Sequence, residues 1–138
     1  MKQLWLLRHA EAEPVAAGLT DFQRPLTAAG RAQAAAAAAQ LRQLDVRPDL
    51  MLASPALRAS ETALIVAQRL QCPAVVRYQP SLYQASAAQL LAALQGCEAG
   101  VSTLLLVAHN PGLSQLAQRL GGPSAKLGTG ALCRIELP

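Results

Sequence analysis

Thr103–Ala108 (TLLLVA) is the most apolar stretch of the sequence, and it ends directly before His109. A short apolar run of this kind predicts a strand that is buried on both faces. Gln3–Leu7 (QLWLL), which ends directly before Arg8, predicts a second buried strand. Strands buried on both faces are typical of a parallel sheet that is covered by helices. These two segments therefore favour an α/β fold.

The rest of the chain alternates between predicted strands and helices. Further strands are predicted at Asp49–Ala53, Ala74–Tyr78 and, at a sheet edge, Ala131–Leu137, and helices at Thr27–Leu44, Ala56–Leu70, Ala87–Leu94 and Leu113–Leu120. Alanine favours helix most, and Thr27 is a good N-cap for the alanine-rich first helix. Lys126–Gly130 either forms a turn before the last strand, which we favour, or lines a ligand site through Thr129. The alternation predicts a single three-layer α/β/α domain over residues 1–138, with a mostly parallel sheet.

The composition excludes several classes of protein. With 52% hydrophobic and 14% charged residues among 138, the chain is globular and not disordered. Aromatic residues amount to 3%, too few for single-strand nucleic-acid binding by stacking, and the basic residues are too scattered for duplex binding. The net charge of +4 fits an anionic substrate better than a polyanion. We therefore expect neither nucleic acid nor a membrane as a partner.

The three cysteines, Cys72, Cys97 and Cys133, lie far apart and form no CxxC pair. This spacing encodes neither a disulfide framework nor a zinc site, so we interpret them as small buried hydrophobic residues in a reducing compartment. The short apolar run at the N-terminus is closed by Arg8, and no apolar stretch approaches the ~20 residues of a membrane span. We expect a cytoplasmic protein.

The chain has two histidines, and each comes at the end of a predicted buried strand. His9 and His109 are therefore expected at the sheet edge where α/β proteins bind ligands. A lone histidine is commonly a satisfied loop or core residue, but two in equivalent positions favour a shared site. A neutral imidazole is a nucleophile toward phosphorus, and the guanidinium of Arg8 can hold phosphoryl oxygens in a bidentate grip. The alternative for Arg8 is an ion pair with Glu11 or Glu13.

Arg58 and a second helix start complete the predicted site. Ser54 suits an N-cap and Pro55 the first helical position, which places Arg58 on the first turn, pointing back over the sheet edge. The alternative for Arg58 is an ion pair with Glu61. Asn110 is predicted to be the N-cap of another helix, whose free N–H groups favour anions. Two arginines, two histidines and a helix N-terminus at one sheet edge predict a phosphate pocket.

Four motifs resemble those of the histidine phosphatase superfamily, which includes the phosphoglycerate mutases. They are Leu7–Glu11 (LRHAE), Pro25–Ala34 (PLTAAGRAQA), Ser54–Ala63 (SPALRASETA) and Val107–Gly112 (VAHNPG). They follow the family's order and span most of the chain, and Ala10 stands where the family usually has glycine. The short chain is most similar to SixA-like phosphohistidine phosphatases, because other members are longer.

The resemblance implies a phosphoglycerate mutase-like fold and a phosphatase without metal or cofactor. It implies that His9 becomes phosphorylated, that Arg8, Arg58 and His109 hold the phosphoryl group, and that Asn110 contributes through its backbone N–H or side chain. The implied substrate is a phosphorylated histidine-containing transfer protein in signal transduction, and we expect a monomer. A small phosphate ester, cleaved by a phosphomonoesterase of the same superfamily, is the alternative. A third hypothesis is an idle phosphate-binding module, which does not need a nucleophile.

The chain departs from the family where a glutamate usually serves as general acid. Gln79–Ala85 (QPSLYQA) has no carboxylate, and Glu98 is the only acidic residue between the third and fourth motifs. Glu11 and Asp21 remain as candidate proton donors, or else as solvated loop carboxylates. An imidazole leaving group has a reference pKa of about 6.5 and needs less help than a strongly basic alkoxide. The missing acid therefore favours phosphohistidine as substrate.

Overall fold

A five-stranded sheet lies between two layers of helices in the computed structural model, which describes residues 1–72, 76–97 and 100–137. The strands are β1 (Gln3–Arg8), β2 (Leu50–Ala53), β3 (Val76–Tyr78), β4 (Thr103–Ala108) and β5 (Leu132–Ile135). The helices are α1 (Ala28–Gln43), α2 (Leu57–Arg69), α3 (Ala87–Gln95) and α4 (Gly112–Arg119). The strand order is β3-β2-β4-β1-β5, and only the β1–β5 pair is antiparallel among the pairs described. The predicted three-layer α/β/α architecture is confirmed.

β4 lies at the centre of the sheet, and its alternate side chains enter two separate cores. Leu104 and Leu106 pack in one core with apolar residues of α3 and α4. Leu105 and Val107 pack in the other core with α1 and α2. Because successive side chains of a strand point to opposite faces, a strand covered on both faces must be apolar throughout. This explains the uninterrupted apolar run that predicted the fold.

Two glycines allow helices to approach the loops beside the sheet edge. The hydroxyl oxygen of Thr27 accepts the N–H of Gly30 and caps α1, as predicted. A Cβ at Gly30 would collide with the carbonyl oxygen of Glu11, and a Cβ at Gly112 would collide with that of Ala85. Glycine is therefore the residue type that lets α1 and α4 start against these loops.

The predicted elements are confirmed within two residues at each described end, but both N-caps predicted at the sheet edge are wrong. Ser54 is not the N-cap of α2, because the N-cap is Ala56 and the Ser54 side chain turns toward β4. Asn110 is not the N-cap of α4, which begins at Gly112 after Pro111. Of the strand predicted at 74–78, residues 74 and 75 lie outside the described residues, as does Glu98.

Two of the three cysteines are less buried than the sequence predicts. All three cysteines lie in the described residues; Cys133 is buried as predicted, whereas Cys72 and Cys97 are half-buried. The prediction of burial fails for these two because they lie in the turns that follow α2 and α3. Within the described ranges, no helix combines the length and the apolar character that crossing a bilayer requires.

Candidate active site

The four residues predicted to carry the chemistry meet at the carboxyl edge of the sheet. Arg8 ends β1, His9 follows it, His109 follows β4, and Arg58 lies on the first turn of α2. The two imidazole ring centroids are 5.1 Å apart. His9, Arg58 and His109 are only 8%, 5% and 3% exposed. His9 and His109 are 100 positions apart in the sequence and meet because each directly follows a strand of the parallel sheet, as the sequence predicts.

His9 is held with one ring nitrogen free. Its Nδ1 lies 2.8 Å from the carbonyl oxygen of Ala10, and since a carbonyl can only accept, Nδ1 carries the proton. Burial is the main reason that the pKa of His9 falls to about 4, and the charges of Arg58 and Arg8 act in the same direction. His9 is therefore neutral at pH 7, with an unprotonated Nε2 that can act as a nucleophile.

His109 is more deeply buried than His9 and has a hydrogen-bond partner at one of its ring nitrogens. Its Nε2 lies 2.7 Å from the hydroxyl oxygen of Ser54, and the ring of Tyr83 meets it edge-on with centroids 5.7 Å apart. Burial is the largest cause of lowering its pKa to about 3, followed by the neighbouring charges of His9 and Arg58. His109 is therefore also neutral at pH 7.

Arg8 is fixed by the segment that precedes β5. Its Nη1 donates to the carbonyl oxygen of Leu127 (3.1 Å), and the ion pairs among the described residues include none between Arg8 and Glu11 or Glu13. The backbone N–H of Gly130 donates to the carbonyl oxygens of Arg8 and His9. Residues 129–130 form a turn, as we favoured, and the segment reaches the site through the backbone of Leu127 and Gly130.

The side chain of Asn110 supports this segment. Its Nδ2 donates to the Leu127 carbonyl oxygen (2.8 Å), and its Oδ1 accepts from the backbone N–H and the hydroxyl of Ser114. The Ser114 hydroxyl oxygen in turn accepts the N–H of Leu127 (3.0 Å). The side chain is thus engaged in orienting Leu127, and a direct phosphate contact of Asn110 stays a prediction for its backbone N–H.

Arg58 pairs with Asp21 and not with Glu61. Its Nη1 donates to the backbone oxygen of Asp21 (2.8 Å), and its Nη2 donates to the Asp21 carboxylate (3.1 Å). The carboxylate of Glu61 accepts the backbone N–H of Leu26 instead. The alternative reading of Arg58 as the partner of Glu61 is therefore wrong, because Glu61 is occupied in closing the loop before α1.

Asp21 is the acidic residue that reaches the site, and it is ionised. Tyr83 donates its hydroxyl to the carboxylate (2.6 Å), Arg24 donates at 3.0 Å, and Gln84 donates its amide at 3.3 Å. The Tyr83 hydrogen bond is the largest cause that lowers the pKa of Asp21 to about 2, ahead of Arg24 and Arg58. A carboxylate with so low a pKa is a poor proton donor at neutral pH.

The other candidate acid lies outside the pocket. Glu11 is exposed, and its carboxylate accepts the hydroxyl of Thr27 at 2.7 Å.

Sequence reasoning missed Ser54, Tyr83 and Leu127 as parts of the site. Of these residues, only Ser54 could have been predicted from the sequence, because it directly follows β2 at the sheet edge. Tyr83 and Leu127 reach the site through the packing of loops.

Three buried nitrogen atoms at this edge have no hydrogen-bond partner. They are Nε of Arg8, Nε of Arg58 and Nδ1 of His109, and the described chain holds no other buried side-chain nitrogen or oxygen in this condition. Buried polar groups are normally paired, so each such group calls for an explanation. The same residue ranges contain no cluster of three or more histidine, cysteine or acidic side chains that would hold a metal ion.

A layered α/β sheet gathers two neutral histidines and two arginines at its strand ends, an arrangement suited to binding a phosphoryl group. The model of the histidine phosphatase superfamily (branch 1) matches residues 4–85. The chain belongs to this superfamily, as its four motifs suggested, and its fold is the phosphoglycerate mutase-like fold.

Two solved structures and one sequence relative show which members of the superfamily the chain resembles. SixA from Agrobacterium tumefaciens, a candidate phosphohistidine phosphatase, is 29% identical with a TM-score of 0.89 over 98% of this chain and 91% of that one. The protein histidine phosphatase SixA complexed with tungstate is 29% identical with a TM-score of 0.87, over 98% and 88%. An uncharacterised chloroplast protein of Arabidopsis thaliana is 34% identical over 93% of this chain, which spans 63% of that relative's length.

A more distant structure shares the fold alone. The candidate α-ribazole-5′-phosphate phosphatase of Escherichia coli has a TM-score of 0.77 at 24% identity, over 100% of this chain and 92% of that one. Identity is higher with the SixA structures, so the chain is SixA-like within its superfamily.

Proposed function

We propose that this protein is a phosphohistidine phosphatase, which removes phosphate from a histidine-phosphorylated protein through a covalent phosphohistidine on His9. The observation that carries the proposal is the set of three unpaired buried nitrogens on Arg8, Arg58 and His109. A buried polar group without a partner costs about 1–3 kcal/mol. A phosphoryl group between these residues offers oxygen acceptors to all three, next to the free Nε2 of His9.

The likeness to SixA supports an oxyanion as ligand. The SixA structure that matches at a TM-score of 0.87 is a complex with tungstate. Tungstate is a tetrahedral oxyanion with the shape of a phosphate group, so a site of this fold that accepts tungstate is suited to a transferring phosphoryl group. The guanidinium groups of Arg8 and Arg58 supply the positive charge that a metal ion supplies in other phosphatases.

The first chemical step exchanges one P–N bond for another. The lone pair on Nε2 of His9 attacks phosphorus while the P–N bond of the substrate phosphohistidine breaks. The electron pair of the broken bond returns to the substrate imidazole, which carries a proton on its other ring nitrogen and therefore leaves as a neutral molecule. Because the bond that forms resembles the bond that breaks, the step requires little external driving force. Water then attacks the phosphorus on His9 and the P–N bond to Nε2 breaks. Both protons of the water leave with the released phosphate, and the imidazole regains its lone pair on Nε2 with its proton still on Nδ1.

The protonation states of the site favour this substrate over an alkyl phosphate. Each unit of leaving-group pKa is worth about 1.36 kcal/mol. An alkoxide therefore needs a proton from the enzyme as the bond breaks, whereas an imidazole whose second ring nitrogen already carries a proton leaves neutral without one. Asp21, at a pKa of about 2, does not hold a proton at pH 7. A small-molecule phosphomonoesterase is therefore not favoured. An idle binding module is disfavoured too, since it has no use for a neutral histidine with a free nitrogen.

The test is a panel of substrates given to the purified protein. We expect fast release of phosphate from a histidine-phosphorylated transfer domain, slower release from an aryl phosphate, and little from sugar phosphates. EDTA should leave all rates unchanged, and Arg31→Ala, on the exposed face of α1, serves as the matched arginine control. Faster turnover of sugar phosphates than of the phosphorylated domain, or restoration of an EDTA-abolished rate by a divalent cation, would contradict the proposal.

A further inference from the structure

Ser54 lies fully buried at the carboxyl end of β2, between the backbone of its own loop and the ring of His109. Its side chain is 0% exposed. The hydroxyl oxygen accepts the backbone N–H of Ala56 at 3.2 Å and lies 2.7 Å from Nε2 of His109. These contacts connect the end of β2 to the end of β4 beside the two histidines.

The hydrogens of this contact can be assigned by counting donors and acceptors. A serine hydroxyl has one hydrogen and two lone pairs, and the N–H of Ala56 already occupies one lone pair. If Nε2 of His109 carried the ring proton, the Ser54 hydrogen would have no acceptor among its contacts in the described chain. If the Ser54 hydroxyl donates to Nε2, the hydroxyl is fully satisfied, and the ring proton of His109 must lie on Nδ1.

The second arrangement also matches the charge of the ligand. Nδ1 of His109 is one of the three buried nitrogens without a partner in the described protein. A lone pair at this position would repel phosphoryl oxygens, whereas an N–H would donate to them. Since His109 is neutral at pH 7, the choice of tautomer, rather than a positive charge, decides which of these it presents.

We propose that Ser54 is a positioning residue that fixes the tautomer of His109: its hydroxyl donates to Nε2 and so leaves Nδ1–H as a donor toward the phosphoryl group. The tautomer assignment concerns the free protein, and only the identity of the anion rests on the proposed function. Both histidines of the chain would then carry their proton on Nδ1, His9 because of the Ala10 carbonyl and His109 because of Ser54.

The direct test is the long-range ¹H–¹⁵N NMR spectrum of the free protein with ¹⁵N-labelled histidine at pH 7. Two imidazoles give a spectrum simple enough to assign, with His9→Ala identifying the remaining one. We expect both rings to be neutral Nδ1–H tautomers. We also expect inorganic phosphate to move the Nδ1–H resonance of His109 downfield. An Nε2–H tautomer for His109 would overturn the proposal, whatever substrate the enzyme takes.

Variants at Ser54 separate this role from packing. In Ser54→Ala, we expect His109 to lose its preference for the Nδ1–H tautomer and kcat to fall about 10-fold. This fall is smaller than the one caused by direct removal of an oxyanion donor. Ser54→Thr, which keeps the hydroxyl, should restore the tautomer and most of kcat. Ser60→Ala, which removes a half-buried hydroxyl from α2, is the matched control and should change neither. A Ser54→Ala protein that keeps the Nδ1–H tautomer would contradict the proposal.

The wild-type spectrum decides the question even if Ser54→Ala does not fold. It also separates the role of Ser54 from the proposed phosphatase activity. If no phosphorylated histidine protein is cleaved but His109 is an Nδ1–H tautomer, the proposed function fails and the role of Ser54 stands. If cleavage is fast but His109 is an Nε2–H tautomer, the reverse holds.

Discussion

The two sides of the pocket are built in different ways. The strand-end side, formed by Arg8, His9 and His109, is held by the sheet: the N–H of His9 donates to the carbonyl of Ala108 at 3.1 Å, which extends the β1–β4 ladder by one residue. The loop side, formed by Asp21, Tyr83 and Gln84, is held by side-chain hydrogen bonds that centre on one carboxylate.

This difference separates two tasks of the enzyme. Attack on phosphorus needs tight placement of the nucleophile, and strand ends with paired backbones are well suited to provide it. The loop side holds Arg58, and its side chains can change without disturbing the ladder. We expect this side to face the leaving group. The pocket can therefore keep one nucleophile while the loop side selects which leaving group is accepted.

Removal of the nucleophile should have the largest effect. We expect His9→Ala to lower kcat on a phosphorylated histidine protein by about 10⁴-fold or more, because the covalent step is lost. Melting temperature and circular dichroism should show a folded protein, since the ring contributes one side-chain hydrogen bond to its neighbour's carbonyl. Near wild-type turnover by the folded variant would show that the strand-end side does not supply the nucleophile.

Arg58 connects the two sides, and its loss should rank second. Arg58→Ala removes one donor to the phosphoryl group and the partner of Asp21, so we expect kcat to fall by about 10²–10³-fold. Steady-state kinetics with Arg31→Ala as control measures the effect. A fall no larger than that of the control would mean that Arg58 only anchors the loop side.

A new carboxylate on the loop side should widen the range of leaving groups. Gln84→Glu puts a carboxylate where an amide now donates to Asp21 at 3.3 Å, and the like charge should raise the pKa of one of the pair. General acid catalysis contributes about 10²–10⁴-fold when geometry allows, and we expect about a 10-fold gain on alkyl phosphates. Phosphohistidine turnover should change little.

The matched control for this gain is Gln89→Glu, which adds the same charge at the exposed start of α3. There the side-chain oxygen already accepts the N–H of Ser86, a contact that glutamate can keep. If both variants gain equally on alkyl phosphates, or if neither does, the loop side does not control the leaving group.

Loss of the Asp21 charge should have the smallest effect on activity. We expect Asp21→Asn to lower kcat less than about 10-fold, because the backbone oxygen of Asp21 still accepts from Arg58. Its effect on stability should depend on pH. The folded pKa of about 2 lies below the ordinary value of 3.8, so the charge stabilises the fold above pH 4 and ceases to do so as pH falls toward 2.

Melting temperatures of both proteins between pH 6 and pH 2 measure this dependence. The melting temperature of the wild-type protein should exceed that of Asp21→Asn by a constant difference above pH 4, and this difference should shrink below pH 4. A difference that stays constant down to pH 2 would show that Asp21 is not an ionised partner of Tyr83, Arg24 and Arg58.

The strand-end side could be predicted from the sequence, and most of the loop side could not. Apolar runs locate β1 and β4, and the strand-end rule then places Arg8, His9 and His109 together without knowledge of the loops. Asp21 and Tyr83 are 62 positions apart and meet through the packing of two loops, which has no periodic signal.

Ser54 shows how a correct local pattern can mislead. The Ser-Pro pair fits a helix start, but the buried Nε2 of His109 requires a partner, and this long-range hydrogen bond determines where the hydroxyl points. The helix consequently begins at Leu57, and Ala56 occupies the N-cap position.

The most direct test of the account is rapid-quench labelling with a transfer domain that carries ³²P on its histidine. During turnover, we predict an acid-labile, base-stable phosphate label on the enzyme that maps to the peptide containing His9, forms within one turnover and decays to inorganic phosphate. His9→Ala should show no label. A label on His109, or phosphate release at the full rate with no labelled enzyme, would contradict the account.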